Sequence, residues 1–378
     1  MTIEEARKKI DELDQQIVDL FYERMNTSCE IAKVKATEGL DIYNPVRERE
    51  ILDKLAAQHE DMELYTSRLY RTIFELSRGY QRQFVKAPAK IREQIEQLRG
   101  HRELGLPERA TVACQGVEGA YAQMAADRLF KRGSLMYMKN FEAVFDAVDK
   151  GLCQFGVLPI DNSTNGSVKQ VYDLMAEKKF YIVASTQLFI KHELLAKKGT
   201  KLSDIKAVYS HDQGLSQCSQ FLKTLSPMVQ ILPSDNTATA AKFVAESDEP
   251  VAAISSHNCA DIYGLEKIAG DIANNANNYT KFIVITKDPT LYEGANYISL
   301  LLTTEHRPGA LFEIMSRFAA LDINLTKLES QPIPGEDFEF MFFFELQASV
   351  MDDRVVDMLA ELERSCETFQ FLGNYTAL

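Results

Sequence analysis

Between positions 7 and 35 the chain carries neither glycine nor proline, and apolar residues return every three or four positions. A stretch of that length and period is satisfied by one long helix. A seam of period 3.5 runs through Arg7, Ile10, Asp14, Ile17, Phe21, Arg24, Ser28, Ile31 and Lys35, and its four large apolar residues mark it as the buried face. Gly39 closes this helix, Asn44 and Pro45 supply an N-cap and a first-turn proline for a second, and a third is predicted from about Leu64 to Phe84. Three such helices make a small core, so association with another chain would help it.

The pattern changes after Phe84. Residues 85–109 are charged and contain Pro88, Gly100, Gly105 and Pro107, which reads as a linker, partly helical between Ala89 and Leu104. Short apolar runs at 111–114, 155–160, 206–210 and 250–254 then alternate with helical stretches through Thr286. That alternation predicts α/β units around mainly parallel sheets, in a span long enough for two lobes. From Ala295 the order is strand, helix, a hairpin around residues 332–337, helix from Asp353 to Glu363, and strand, the βαββαβ order of a ferredoxin-like fold. The expected division is therefore 1–84, a linker 85–109, 110–288, and 295–378.

A length of 378 residues suits two or three separate cores. The composition, 46% hydrophobic and 26% charged, contains no apolar run long enough for a membrane span. The first sixteen residues are charged throughout and hold no apolar signal core, so secretion is not expected. The six cysteines are scattered without a CxxC pair, and the six histidines show no HxH or HExxH spacing. A reduced, cytoplasmic protein without metal or cofactor is the expectation. A net charge of -13 argues against nucleic acid or an anionic membrane as partner.

Arg7, Arg24 and Lys35 share the seam with the apolar residues. Basic side chains at helix ends can snorkel, but Arg24 is mid-helix. The alternative is a dry pocket in which guanidinium forks hold the carboxylates of a small polyanion. Along the axis Arg7 lies roughly 25 Å from Arg24, and Lys35 roughly 16 Å beyond it. One metabolite cannot touch both ends. An antiparallel partner helix would bring the other chain's Arg7 alongside, which predicts a two-fold dimer with shared sites. Arg47 and Glu48 open the second helix, and Ser77 and Gln81 share a face of the third with Leu69 and Ile73. On their own, Ser77 and Gln81 read first as solvated helix polar residues.

The set Arg7, Arg24, Lys35, Arg47, Glu48, Ser77 and Gln81 resembles the all-helical chorismate mutases that open bifunctional chorismate mutase/prephenate dehydratases. The resemblance implies that Arg24 and the other chain's Arg7 bind the carboxylates of chorismate, with Arg47 assisting. It places Glu48 and Ser77 nearer the ring hydroxyl and makes Lys35 and Gln81 donors to the ether oxygen. Asn44 stands at a substrate-binding position where the family usually has aspartate; an N-cap suits either residue. A Claisen rearrangement needs no nucleophile or cofactor, only a clamped conformer and donors aimed at developing charge.

In the central span, Asp161, Asn162, Ser163 and Thr164 follow an apolar strand, residues 114–121 end a strand and open a helix, and residues 209–218, including Ser210, His211 and Gln217, form a third such junction. Strand ends of this kind are where α/β proteins bind ligands, and also where ordinary Asx and glycine turns occur. With Thr280 and Lys281 ahead of the last strand, these segments in this order resemble prephenate dehydratase, whose fold is two-lobed and periplasmic-binding-protein-like. The resemblance implies Thr280 as the main catalytic group and Asp161, Asn162, Ser163, Ser210, Gln217 and Lys281 as substrate-binding positions. Lys281 stands where the family has arginine, which keeps charge and loses the planar fork. His211 is read as a structural neighbour.

In the last span, Gly309, Ala310 and Leu311 stand at a strand-to-helix turn, and Glu329 and Ser330 near the end of the next strand. The pair resembles motifs of the ACT domain of prephenate dehydratases, with Gln331 replacing an arginine. The resemblance implies a phenylalanine site enclosed between two subunits by these residues with Asn324 and Leu325. It implies substrates chorismate and prephenate, phenylalanine as effector, and a homodimer whose further pairing into tetramers stays open. The competing readings are a monofunctional dehydratase whose helical part serves only dimerisation, and a solute-binding module read by the terminal domain.

Overall fold

The computed structural model describes the chain except residues 39, 41, 57, 59, 85–88 and 334–339. Gly39, the start of the expected linker at Val85 with Pro88, and most of the expected hairpin at 332–337 lie outside the described residues. The first module is α1 (Ile3–Glu38), α2 (Pro45–Ala56) and α3 (Glu63–Phe84). Asn44 Oδ1 accepts from Arg47 N at 3.0 Å, so it caps α2 as the Asn-Pro pair predicts. At 36 residues α1 is about 54 Å long, against about 33 Å for α3.

That mismatch corrects one expectation. The seam is not buried within one chain: Ile10, Ile17 and Ile31 are 55%, 62% and 51% exposed. What α1 buries is Ser28, Cys29 and Ala32, near its carboxyl end, because the shorter α3 cannot cover the rest.

Helix α4 (Lys90–Gly100) follows. It was expected within a linker, and the helix is there, but it is not a free connector. Ile91 and Ile95 are 2% and 0% exposed and share a core with Leu300, Phe344 and Leu359 of the C-terminal module. Its apolar stripe, Ile91, Ile95 and Leu98, recurs every three or four residues, which suits a helix docked on one face.

The central module has two lobes. The first holds β1 (Thr111–Gln115), α5 (Tyr121–Leu129), β2 (Ser134–Met138), α6 (Phe141–Asp149), β3 (Phe155–Asn162), β4 (Gly166–Ser167), α7 (Lys169–Glu177) and β5 (Tyr181–Phe189). The second holds β6 (Glu193–Ala196), β7 (Ala207–Ser210), α8 (Asp212–Gln217), α9 (Ser219–Leu222), β8 (Gln230–Pro233), α10 (Thr237–Glu246), β9 (Val251–Ser255), α11 (His257–Tyr263) and β10 (Glu266–Ala269). The chain then returns to the first lobe as β11 (Tyr279–Thr286). Asn140 and Asn236 cap α6 and α10.

The sheets are mixed rather than mainly parallel. Strand β1 pairs parallel with β2 and β3, but β11 runs antiparallel between β3 and β5. In the second lobe β7 pairs parallel with β8 and β9, while β6 is antiparallel to β9 and β10. The reason is connectivity: a chain that leaves one lobe and comes back lays its return strand against the sheet from the opposite end.

The C-terminal module is β12 (Tyr297–Thr303), α12 (Ala310–Ala320), β13 (Asn324–Pro332), β14 (Phe340–Gln347), α13 (Asp353–Ser365) and β15 (Thr368–Ala377). Its strand order β13-β14-β12-β15 is that of a ferredoxin-like βαββαβ unit. Strand β15 also pairs parallel with β5, Thr376 against Ala184, so one continuous sheet joins this module to the first lobe. The approach is close at Gly373, whose φ is +134° and where an added Cβ would lie 2.2 Å from the carbonyl oxygen of Ile182. Among the described residues no helix is long and apolar enough to cross a membrane.

Candidate active sites

In the helical module the charged residues split into two groups. Arg24 is partly buried, its guanidinium 5.6 Å from the centroid of the Phe74 ring, and its Nη1 is buried without a partner among the described residues. A buried guanidinium N–H without an acceptor is costly, and a bound carboxylate would relieve it. Ser77 and Gln81 are 4% and 9% exposed, and Gln81 Nε2 donates to Ser77 Oγ at 3.0 Å, so they are not solvated polar residues. Lys35 Nζ donates to Ile42 O at 2.8 Å. Arg7 and Arg47 are exposed; Arg47 pairs with Glu50 at 3.0 Å. One chain does not bring Arg7 to Arg24, since both lie on the same helix.

Glu48 receives an ion pair that the sequence reading missed. Arg78, 8% exposed, bonds both Glu48 and Glu75 and lies 5.0 Å from the Tyr43 ring centroid. Burial raises the Glu75 carboxyl above its ordinary value, against the pull of Arg78. The signal was in the sequence: Tyr70, Phe74 and Arg78 recur at helical spacing, placing a cation on an apolar row as Arg24 is placed.

In the central module a chain of hydrogen bonds fixes the polarity around Thr280. Backbone N–H groups of Thr164 and Asn165 donate to Asn162 Oδ1, at 3.0 and 2.9 Å. This Asx turn orients the amide, so its Nδ2 donates to Thr280 Oγ1 and to Asn278 Oδ1, each at 2.8 Å. Asn278 Nδ2 in turn donates to Gln217 Oε1 at 2.9 Å, and His192 Nε2 approaches the same oxygen at 2.8 Å. Since that oxygen is an acceptor, His192 carries its proton on Nε2. Burial pushes the His192 pKa down, against the opposing effect of Gln217, and its Nδ1 is buried without a partner among the described residues.

This network joins Thr280, Asn162 and Gln217 and adds Asn278 and His192, which the sequence reading did not single out. Both are almost fully buried, 2% and 3% exposed; a single Asn or His before a strand gives no periodic signal. Ser163 braces the turn, donating to Asn277 O at 3.1 Å and accepting from Tyr279 N at 2.9 Å. Ser210 is fully buried and donates to Ile254 O at 2.7 Å. His211 caps α8, its Nδ1 accepting from Gln213 N at 3.3 Å.

Asp161 and Lys281 are not brought to this cluster. Thr280 pairs with Asn162 and Lys281 with Asp161 across β11 and β3, and successive strand residues face opposite sides. Asp161 pairs with Lys327 at 3.1 Å and Lys281 with Glu345, both partners in the C-terminal module.

A family model for prephenate dehydratase matches residues 112–290, and one for chorismate mutase type II matches residues 6–82. The bifunctional chorismate mutase/prephenate dehydratase of Escherichia coli strain K12 is 30% identical over 380 residues, covering 98% of this chain and 95% of that protein. The chain belongs to the bifunctional chorismate mutase/prephenate dehydratase family. Arogenate dehydratase/prephenate dehydratase 2 of Arabidopsis thaliana is 35% identical over 280 residues, 71% of this chain and 73% of that protein. The crystal structure of prephenate dehydratase in complex with L-Phe from Arthrobacter aurescens has a TM-score of 0.65 and 30% identity, covering 70% of this chain and 89% of that one.

The chorismate mutase type II match falls on the helical module and the prephenate dehydratase match on the two-lobed module. In the C-terminal module Gly309 takes φ +88° and opens α12, Ala310 is buried, and Leu311 packs on the core. Asn324 and Leu325 start β13, beyond the far end of α12; Asn324 Nδ2 donates to Gln347 Oε1 at 3.3 Å. Of the eleven residues of α12, the nine after Leu311 separate these two sets by about 14 Å along the helix axis within a chain. Glu329 faces the first lobe, accepting from Ser167 Oγ at 2.5 Å and from Gln331 Nε2 at 3.2 Å, while Ser330 is exposed.

Proposed function

We propose that this protein converts chorismate to prephenate in its helical module and prephenate to phenylpyruvate in its two-lobed module, and so carries two consecutive steps of phenylalanine biosynthesis. In the first step the ether C–O bond breaks as a C–C bond forms, with no nucleophile or cofactor. Arg24 binds a substrate carboxylate through Nη1, which has no partner among the described residues, and Arg7 of a second chain binds the other. Lys35 and Gln81 donate to the ether oxygen, Arg47 assists the carboxylates, and Glu48 and Ser77 hold the ring hydroxyl.

In the second step carbon dioxide leaves as the ring hydroxyl departs, and the ring becomes aromatic. The observation that carries this reading is the donor direction at Thr280. Its oxygen accepts from Asn162, which leaves its own hydrogen for the departing hydroxyl. Threonine is a poor acid in water, and here it acts as a positioned donor in a desolvated cleft, 8% exposed. Gln217 and Ser210 belong to the second-lobe wall of the cleft, and Ser163 holds the turn that orients Asn162.

The C-terminal module is read as an ACT domain that binds phenylalanine. The distance between Gly309–Leu311 and Asn324–Leu325 in one chain favours a site completed by a second chain. The exposed seam of α1 supports a homodimer with shared mutase sites, and six free cysteines support a reduced, cytoplasmic setting. The test is to supply chorismate, and separately prephenate, to the pure protein and follow prephenate and phenylpyruvate. Turnover of both supports the reading; turnover of prephenate alone leaves a monofunctional dehydratase.

A further inference from the structure

The two strands that carry Thr280 and Asn162 show their other face to the C-terminal module. Along β11, Phe282 and Val284 follow Thr280 into the core of the first lobe. Ile283 and Ile285 follow Lys281 into a core shared with Leu301, Phe343 and Tyr375 of the C-terminal module. The pairing of β11 with β3 slips by one residue between Lys281 and Phe282, so that Phe282 faces Pro159 and Ile160 is the extra residue. A bulge of this kind bends the strand and re-aims the neighbouring side chains, and Pro159 is tolerated in a central strand at such a place. The local ladder is thus weakened one residue from the pair that sets Thr280 against Asn162.

At that weak point two ion pairs cross between modules. Lys281 meets Glu345 of β14, which is 6% exposed and also accepts from Tyr375 Oη at 2.7 Å and Thr326 Oγ1 at 2.8 Å. Asp161 meets Lys327 of β13 at 3.1 Å, and Lys327 also donates to Ser167 Oγ at 2.9 Å. A cavity of about 600 Å³ lies between the pairs, lined by Asp161, Lys281, Lys327, Glu345, Tyr172 and Tyr375. The pairs therefore stand in the wall of a space rather than inside a filled core. Such a space leaves room for the strands to move when the pairs shift.

We infer that Lys281 and Asp161 are positioning residues for the dehydratase: with Glu345 and Lys327 they form a two-pair latch through which the C-terminal module sets the Thr280–Asn162 geometry. This rests on the dehydratase reading. A latch of this design makes any ligand that displaces β13 or β14 act on the reaction without touching the cleft. It also gives the lysine in place of the family's arginine a use that needs one charge and no planar fork.

The test compares Lys281→Met, Glu345→Gln and the charge exchange Lys281→Glu with Glu345→Lys. Prephenate kcat and KM are measured, and mutase rate on the same samples serves as the folding check. Each single variant is expected to lower kcat about tenfold or more with KM changed less than about twofold, and the exchange to recover most of the loss. If Lys281→Met loses mutase activity as well, Lys327→Met, on the more exposed pair, carries the same expectation. A rise in KM at unchanged kcat, unaltered kinetics, or an exchange no better than the worse single variant would overturn the latch. If the unaltered protein fails to turn over prephenate, it is the dehydratase reading that fails.

Discussion

Arg24 and Thr280 differ in how each could be found. Arg24 was legible because a cation on an apolar helical seam conflicts with burial, and the structure places its Nη1 out of water without a partner among the described residues. Replacing it by alanine should lower mutase kcat/KM at least about a hundredfold and leave prephenate turnover unchanged; a steady-state assay of both reactions on one sample checks this. Thr280 was legible only through motif order, and the network that orients it was not, because Asn278 and His192 carry no periodic signal. His192 has its pKa depressed by burial, so the unfolded chain takes up the proton first. Stability should be full above the ordinary histidine value and fall as pH drops below 6.5. Denaturant midpoints measured between pH 7 and pH 5 should show that fall and show less of it in His192→Gln.

Among elements, the α/β alternation and the βαββαβ order were legible because each strand is a short apolar run flanked by turns. The mixed sheet was not, since strand direction depends on where the chain goes between lobes. The fate of α4 was hidden for a related reason: charge and proline around it read as linker, while Ile91 and Ile95 at helical spacing were its docking face. Ile95→Ala should cost about 2–5 kcal/mol in a denaturant titration; a loss below ~0.5 kcal/mol would return α4 to a linker. Gly373→Ala combines a left-handed φ with a clash against Ile182 O. It should lower the thermal midpoint and loosen the joint between β15 and β5, seen as faster amide exchange along β5.

For the whole molecule, the length of α1 is what favours the proposed dimer. Ile10, Ile17 and Leu20 are exposed in one chain, and Arg7 lies too far from Arg24 to share a small ligand with it. Both facts are accounted for by a second chain laid antiparallel along α1. Ile17→Glu should shift the sedimentation profile toward monomer and take mutase activity with it, while the dehydratase, whose hydrogen bonds linking Asn162 with Thr280, Asn278 and Gln217 all form within one chain, persists.

The central claim is that this protein holds two separate sites acting in sequence. The direct measurement follows prephenate and phenylpyruvate with time after chorismate is added to the unaltered protein, to Arg24→Ala and to Thr280→Ala. The account predicts phenylpyruvate from the first, no product from the second unless prephenate is supplied, and accumulating prephenate from the third. Equal loss of both steps in either variant, or no product from the unaltered protein, would contradict it.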